Sequence, residues 1–176
     1  WSHSNINETE IPIEQTVSDY DQMIGNLSAQ YGTTPENLED IMNRIAFHET
    51  GPGSRNDPTT VQVGGGPGRG LFQFELGVKE GGETAMNRLL RWFAKNNIQA
   101  PKWTNIPLDG VDASRLEAKA QNMLFMGNVR YHPYASFKGL DDKGLPEWWA
   151  KYHWAGPAHQ KDERIASFEE CMKVYD

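Results

Sequence analysis

Glu49 lies at the end of an apolar helical stripe and immediately before a Thr-Gly-Pro-Gly break in the sequence. The stripe consists of residues whose spacing puts them on one face of a helix: Leu38, Ile41, Met42, Ile45 and Ala46. An acidic side chain on a core-facing stripe is costly unless it is paired or used. Burial favours the neutral form of a carboxyl group, and a neutral carboxyl group can act as a general acid. We therefore interpret Glu49 as a candidate catalytic proton donor.

A glycine-rich segment, GGGPGRGLFQFE at 64–75, has residue types that suit a ligand site. Glycine lets the backbone approach a bound molecule closely. The glycines lead into an apolar wall, Leu71 and Phe72, and into Gln73, whose amide can bind the hydroxyl and acetamido groups of a sugar. The candidate ligand-binding residues of this segment are Gly70, Leu71, Phe72 and Gln73.

A tryptophan-rich segment, WWAKYHWAGP at 148–157, is the third candidate for chemistry. Trp148, Trp149 and Trp154 offer flat apolar faces of the kind on which sugar rings stack. Buried tryptophans are more common than exposed sugar platforms, so each of them is also a core candidate. Trp154 lies nearest to the Ala-Gly-Pro break and is the candidate substrate-binding residue of the three.

In their order along the chain, these segments resemble motifs of the soluble lytic transglycosylase branch of the lysozyme superfamily. Members typically show a catalytic glutamate followed by Ser or Thr at a helix end, then G-x-x-G-L-M-Q, then A-Y-N-A-G-P. The matching parts here are Glu49-Thr50, the GRGLFQ segment at 68–73 with Phe in place of Met, and the Ala-Gly-Pro at 155–157. The GLFQFE form is also similar to cell-wall lysins that are built into bacteriophage particles. The order of the parts makes the resemblance more specific than any single motif.

The resemblance implies a mainly α, lysozyme-like fold with a small β-hairpin. It also implies cleavage of the β-1,4 bond between N-acetylmuramic acid and N-acetylglucosamine in peptidoglycan, with 1,6-anhydro-muramyl ends as the product. Glu49 would be the catalytic residue, and neither a metal nor an organic cofactor would be needed. The implied partners are peptidoglycan glycan strands and other parts of a larger virion protein. The implied location is the phage particle, with a periplasmic or secreted protein as the alternative.

The third motif departs from the family pattern. When the chain is aligned on Ala-Gly-Pro, the family's tyrosine position falls on His153 and its asparagine position on Trp154, while Tyr152 lies one residue earlier. Either Tyr152 or His153 would hold the glutamate, and the sequence leaves both alternatives open.

Two other acidic residues are candidates for a second carboxylate. Asp57 precedes Pro58 and is most simply a turn residue, although some lysozymes use an aspartate in such a loop to activate water. Glu75 is either a second carboxylate or a solvated strand end. If one of them activates water, the enzyme is a hydrolytic lysozyme instead. A third alternative, from another class, is a glycan-binding or structural virion module without turnover. His48, beside Glu49, points to another helix face by its spacing and is interpreted as structural or rim-lining.

Composition narrows the classes of partner. The 176 residues and 38% hydrophobic content suit one domain, with residues 1–14 as a leader or linker and residues 15–176 as the catalytic domain. The chain has 24 acidic and 17 basic residues and no basic run with interleaved aromatics, so nucleic acid is not an expected partner. The acidic surplus also argues mildly against an anionic polymer such as the cell wall. The single cysteine, Cys171, excludes an internal disulfide. The spacing of the five histidines does not match a metal site. No apolar run approaches the length of a membrane span.

The elements that must position these residues are mostly helices. Helical spacing and capping residues predict six helices: around 17–31 ending at Gly32, from Thr34-Pro35 to Glu49, around 86–93, around 116–127 with Asp112 as its cap, from Pro146 through the Trp148-Trp149 pair to a break at Ala155-Gly156-Pro157, and around 165–175. The glycine-rich stretch 51–70 predicts a loop with a small hairpin, with β character at 59–63.

Overall fold

The chain is described by a computed structural model that covers residues 13–75, 84–105, 112–154 and 156–176. Over these residues it is mainly helical, with six α-helices and a two-stranded antiparallel hairpin, as the sequence predicts. The helices are α1 (Ile13–Gln30), α2 (Pro35–Thr50), α3 (Ala85–Lys95), α4 (Ala118–Tyr131), α5 (Leu145–Trp149) and α6 (Lys161–Tyr175). The first twelve residues of the predicted leader lie outside the described residues, and its last two, 13 and 14, belong to α1.

The ends of α1 and α2 follow from local chemistry. Gly32 has a φ of 71°, a left-handed conformation that glycine adopts readily, and α1 ends just before it. Thr34 Oγ1 then accepts a hydrogen bond from the Asn37 backbone N–H at 3.1 Å, and Pro35 takes the first helical position. The predicted boundary between the two helices is therefore confirmed.

The hairpin differs from the prediction. Its strands are β1 (Gly68–Arg69) and β2 (Phe74–Glu75), with Gly68 opposite Glu75. The stretch 59–63 forms no strand, and only Val61 makes an isolated bridge, to Arg69. The β propensity of 59–63 is overridden because a turn begins at Asp57 and left-handed glycines follow directly after Val63.

The predicted cap of α4 is also wrong. Asp112 Oδ1 accepts a hydrogen bond from the Ser114 backbone N–H at 3.1 Å, which caps a short 3-10 segment, Ala113–Arg115. The α4 helix begins later, at Ala118. An aspartate caps whichever helical turn directly follows it, so the residue type predicted the cap but not the kind of helix.

The helices enclose one cluster of buried apolar side chains. Helices α3 and α4 are in close contact at Gly127, where an added Cβ would lie 2.9 Å from the Leu89 Cα. In the same core, the Phe72 ring stacks on Phe125 with centroids 4.4 Å apart. None of the described helices is long and apolar enough to cross a membrane.

Helix α6 is fastened to α2 by Arg44. The guanidinium lies 2.8 Å from Asp40 and 2.8 Å from Asp176, and it stacks over the Tyr175 ring at 4.7 Å. The Arg44 side chain is only 11% exposed, so these interactions are less screened than ordinary surface ion pairs. They hold α6 beside the C-terminal half of α2, where Glu49 lies.

We predict that Gly127→Ala destabilises the protein by about 1–3 kcal/mol, because the added methyl group meets helix backbone that cannot move aside. Thermal unfolding checks this. The control is Gly25→Ala in α1, where an added Cβ has nothing within 4 Å. That change should raise stability by about 0.5–1 kcal/mol. Equal effects from both substitutions would contradict the close α3–α4 contact.

Candidate active site

Glu49 lies in the last turn of α2, where Gly51 ends the helix with a φ of 86°. Its side chain is 13% exposed, so it is largely withdrawn from water but still reachable. Its Oε1 accepts a hydrogen bond of 2.7 Å from the indole Nε1 of Trp149, the last residue of α5. The site is thus built where the end of one helix meets the end of another that is distant in sequence.

The pKa of Glu49 is raised to about 8, mainly because burial removes the water that would solvate the carboxylate. The hydrogen bond from Trp149 and the positive charge of Arg164 act in the opposite direction, and the negative charge of Glu75 adds to the increase. Glu49 is therefore mostly protonated at neutral pH, as a general acid must be.

His48 packs against the same tryptophan. Its ring centroid lies 4.5 Å from that of Trp149 and 4.7 Å from that of Phe168, and the side chain is 11% exposed. Burial, with the charges of Arg164 and His153, lowers the pKa of His48 to about 4, so it is neutral at neutral pH. Its Nδ1 is 3.9 Å from Glu49 Oε1. Of the two predicted roles for His48, structural or rim-lining, its packing therefore favours the structural one.

The side chains of residues 71 and 72 do not form the expected apolar wall for a ligand. Leu71 is 5% exposed and Phe72 is 0% exposed, so both belong to the protein core. The Leu71 backbone N–H donates to Gln121 Oε1 at 2.7 Å. At Gly70, where φ is +78°, an added Cβ would collide with Gln121 Oε1. The hydrogen bond from Leu71 and the close approach of Gly70 thus attach the glycine-rich loop to Gln121 in α4.

Gln73 uses its amide within the same loop. It has a φ of 50°, which is uncommon for a residue with a side chain. Its Nε2 donates to the Gly70 carbonyl at 2.7 Å and lies 3.4 Å from the Thr60 carbonyl. The amide nitrogen thus holds the turn between β1 and β2, which is a structural use of the residue expected to bind sugar.

The hydrogen bond to Glu49 comes from neither of its two predicted partners, Tyr152 and His153. The ring of Tyr152 lies beside Trp148 and His132, at 5.6 and 6.2 Å. His153 Nε2 is 2.6 Å from the Phe72 carbonyl oxygen. The hydrogen bond to Glu49 comes instead from Trp149, which the sequence presents only as an aromatic face. A buried indole N–H usually finds an acceptor, which makes both Trp148 and Trp149 possible donors, but nothing in the sequence says which acceptor each one reaches.

The three tryptophans of the segment have different surroundings. Trp148 is 8% exposed, stacks on Phe137 at 5.6 Å and donates its Nε1 to the Ser136 carbonyl at 2.8 Å, so it is a core residue. Trp154 is half-buried and stacks on Trp149 at 6.2 Å, and Arg164 lies 5.9 Å above its ring. Of the three, Trp154 is the one that is partly exposed, and it packs against the tryptophan that contacts Glu49.

Of the two candidate second carboxylates, Glu75 has an electrostatic effect on Glu49, whereas Asp57 is not among the groups that act on it. Asp57 is exposed, and its Oδ1 accepts hydrogen bonds from the Thr59 backbone N–H at 2.9 Å and hydroxyl at 2.8 Å. These bonds lower the pKa of Asp57, as expected for a turn residue. Glu75 is exposed at the end of β2, and its charge acts on Glu49. Glu75 is therefore the better placed of the two.

The chemistry available is proton donation by one protonated carboxyl group. Among the residues that the structure describes, no group of three or more His, Cys, Asp or Glu side chains is arranged to hold a metal ion. The glutamate is largely buried, has one strong donor on Oε1 and lies beside a partly open aromatic surface. Such a site suits acid catalysis on a bond whose leaving oxygen needs a proton.

We predict that Glu49→Gln raises the free energy of unfolding by about 2–4 kcal/mol at pH 8 and has little effect near pH 4.5. The folded pKa of about 8 lies above the ordinary value of 4.5, so between these values the unfolded chain ionises while the folded protein stays protonated. The wild type thus loses stability as pH rises through this window, whereas glutamine does not titrate. Thermal melts of both proteins across this range measure the difference, and a difference independent of pH would contradict the raised pKa.

No family model matches this chain, and no curated protein or solved structure matches it either. What the site does must therefore be argued from its own residues. The largely buried Glu49, the indole N–H that contacts it and the aromatic surface beside it are the features that any assignment has to explain.

Proposed function

We propose that this protein is a lysozyme-like, peptidoglycan-cleaving lytic transglycosylase that acts on the β-1,4 bond between N-acetylmuramic acid and N-acetylglucosamine. The observation that carries the proposal is a single protonated glutamate, raised in pKa to about 8, at the position of the motif's catalytic acid. The motif order and the aromatic surface of Trp154 are consistent with a glycan substrate. The partners are peptidoglycan strands and other parts of a larger virion protein, and the location is the phage particle.

The reaction requires one residue in two protonation states. Glu49 donates its proton to the leaving glycosidic oxygen as the C1–O bond breaks, and the acetamido oxygen of the muramyl sugar stabilises the positive charge that develops at C1. Glu49, now a carboxylate, takes the proton of the muramyl 6-hydroxyl, whose oxygen attacks C1. The product is a 1,6-anhydro ring, and Glu49 is protonated again at the end.

A hydrolytic lysozyme is the second candidate, and a specific observation favours Glu75 as its second carboxylate. The charge of Glu75 raises the pKa of Glu49, whereas Asp57 is held in an exposed turn. Glu75 is itself exposed at a strand end, where a carboxylate is well solvated. We prefer the transglycosylase because the supporting contacts converge on Glu49 alone.

We predict that Glu49→Gln abolishes dye release from labelled peptidoglycan sacculi, to below about a hundredth of the wild-type rate, because the amide keeps the shape but cannot donate an acidic proton. The matched control is Glu117→Gln, since Glu117 is exposed and its side chain makes no capping hydrogen bond. The control should keep full activity. Lysis by the Glu49 variant above a tenth of the wild-type rate would refute the assignment, and absence of lysis by the wild type would favour the glycan-binding alternative.

Digestion in heavy-oxygen water separates the two enzymatic candidates. The transglycosylase should give an unlabelled anhydro product that is lighter by one water than the hydrolysis product and resists borohydride reduction. A hydrolase places the label at the new muramyl reducing end, which borohydride reduces. If the product is labelled, Glu75→Gln and Asp57→Asn identify the second carboxylate by loss of activity, and the lysozyme replaces the transglycosylase.

A further inference from the structure

The two oxygens of the Glu49 carboxyl group have different surroundings. Oε1 accepts the Trp149 indole N–H at 2.7 Å, and the nearest histidine nitrogen, His48 Nδ1, lies 3.9 Å from the same oxygen. Among the described residues, no hydrogen bond reaches Oε2. An indole nitrogen can only donate, so Oε1 must act as an acceptor in this arrangement.

The indole itself is held firmly. Trp149 is 1% exposed, and its ring packs against both Phe168 at 5.3 Å and His48 at 4.5 Å, which also contact each other. The chain leaves α5 through a π-helical turn, Ala150–Trp154. Trp154, the last residue of this turn, stacks on Trp149 with ring centroids 6.2 Å apart. The direction of the N–H is therefore fixed by packing on several sides.

We propose that Trp149 is a positioning residue for catalysis, because its N–H reserves Oε1 as the acceptor and so places the acidic proton of Glu49 on Oε2, from which it is delivered to the substrate. This inference rests on the proposed function. A neutral carboxyl group has one carbonyl oxygen and one hydroxyl oxygen, and the carbonyl oxygen is the one that receives the indole. A hydrogen bond to an ionised acceptor is stronger than one to a neutral acceptor. The same contact thus stabilises the carboxylate that forms as the proton leaves.

The expected pH effect has a definite sign. The groups that act on Glu49 are Trp149 from α5, Arg164 from α6 and Glu75 from β2, and His48 from α2 lies beside it. The Trp149 hydrogen bond lowers the pKa of Glu49, so removing the N–H raises that pKa further. Glu49 must be protonated to act as the acid, and the alkaline limb of the activity profile should therefore move to higher pH when the bond is lost. His48 is already neutral in this range, because its pKa lies at about 4.

The test compares Trp149→Phe with Trp148→Phe. Both changes remove an indole that donates one hydrogen bond, but Trp148 donates to the Ser136 carbonyl within the core. For Trp149→Phe, kcat should fall about tenfold with KM within about twofold, and the alkaline limb should move upwards. Trp148→Phe should leave the limb in place. The carbonyl stretch of the protonated Glu49, identified by its loss in Glu49→Gln, should persist to higher pH in infrared titration of Trp149→Phe.

A second variant covers the case in which Trp149→Phe does not fold. Replacement of Trp149 by 3-benzothienylalanine keeps the ring shape and removes only the N–H, and it should show the same changes in kcat and in the infrared titration. Unchanged kcat, pH limb and infrared band in a folded variant would overturn the inference while leaving the proposed function intact. A raised KM with unchanged kcat would also overturn it, because Trp149 would then support substrate binding and not proton transfer. Lysis by Glu49→Gln would instead refute the proposed function, and the infrared titration would still report whether the bond exists.

Discussion

The hydrogen bond from the Trp149 indole to the Glu49 carboxyl group is the interaction on which the site depends. It joins the end of α2 to the end of α5, and it satisfies one oxygen of an acid that is only 13% exposed. Burial and the hydrogen bond act on the pKa of Glu49 in opposite directions, and burial is the stronger, so the group remains an acid with a pKa of about 8. A site with more donors would ionise the carboxyl group, and a site with none would leave it buried without a partner.

The side chains that pack against the indole of Trp149 are aromatic. His48, Phe168 and Trp154 surround Trp149, and His48 is neutral because burial lowers its pKa to about 4. A protonated histidine beside Glu49 would favour the carboxylate and remove the acid. The positive charge of Arg164 acts on both His48 and Glu49, and it limits how far the pKa of the glutamate can rise. The residues around Trp149 thus hold its indole in place and keep Glu49 protonated.

The glycine-rich loop serves this arrangement indirectly. Its apolar residues are buried, and the backbone around them is tied to Gln121 and to His153. Because His153 lies in the π-helical turn that follows Trp149, the loop and the indole are attached to the same short segment. The buried residues of the loop therefore hold the shape of the site, and the partly exposed aromatic residue next to Trp149 is Trp154.

The sequence by itself determined the mainly helical architecture, the boundary at Thr34 and the inward position of Glu49, because helical periodicity and capping act over a few residues. It did not determine where the hairpin strands lie or which residue contacts Glu49. The sequence offered Tyr152 and His153 as candidates and presented Trp149 only as an aromatic face, and Tyr152 and His153 lie in a π-helical turn that helical periodicity does not predict. Only tertiary packing decided among them: the indole of Trp149 was brought to the carboxyl group of a residue one hundred positions away. Helical periodicity predicted that Glu49 points inward, but how completely it is buried, which sets its pKa, depends on contacts between distant elements.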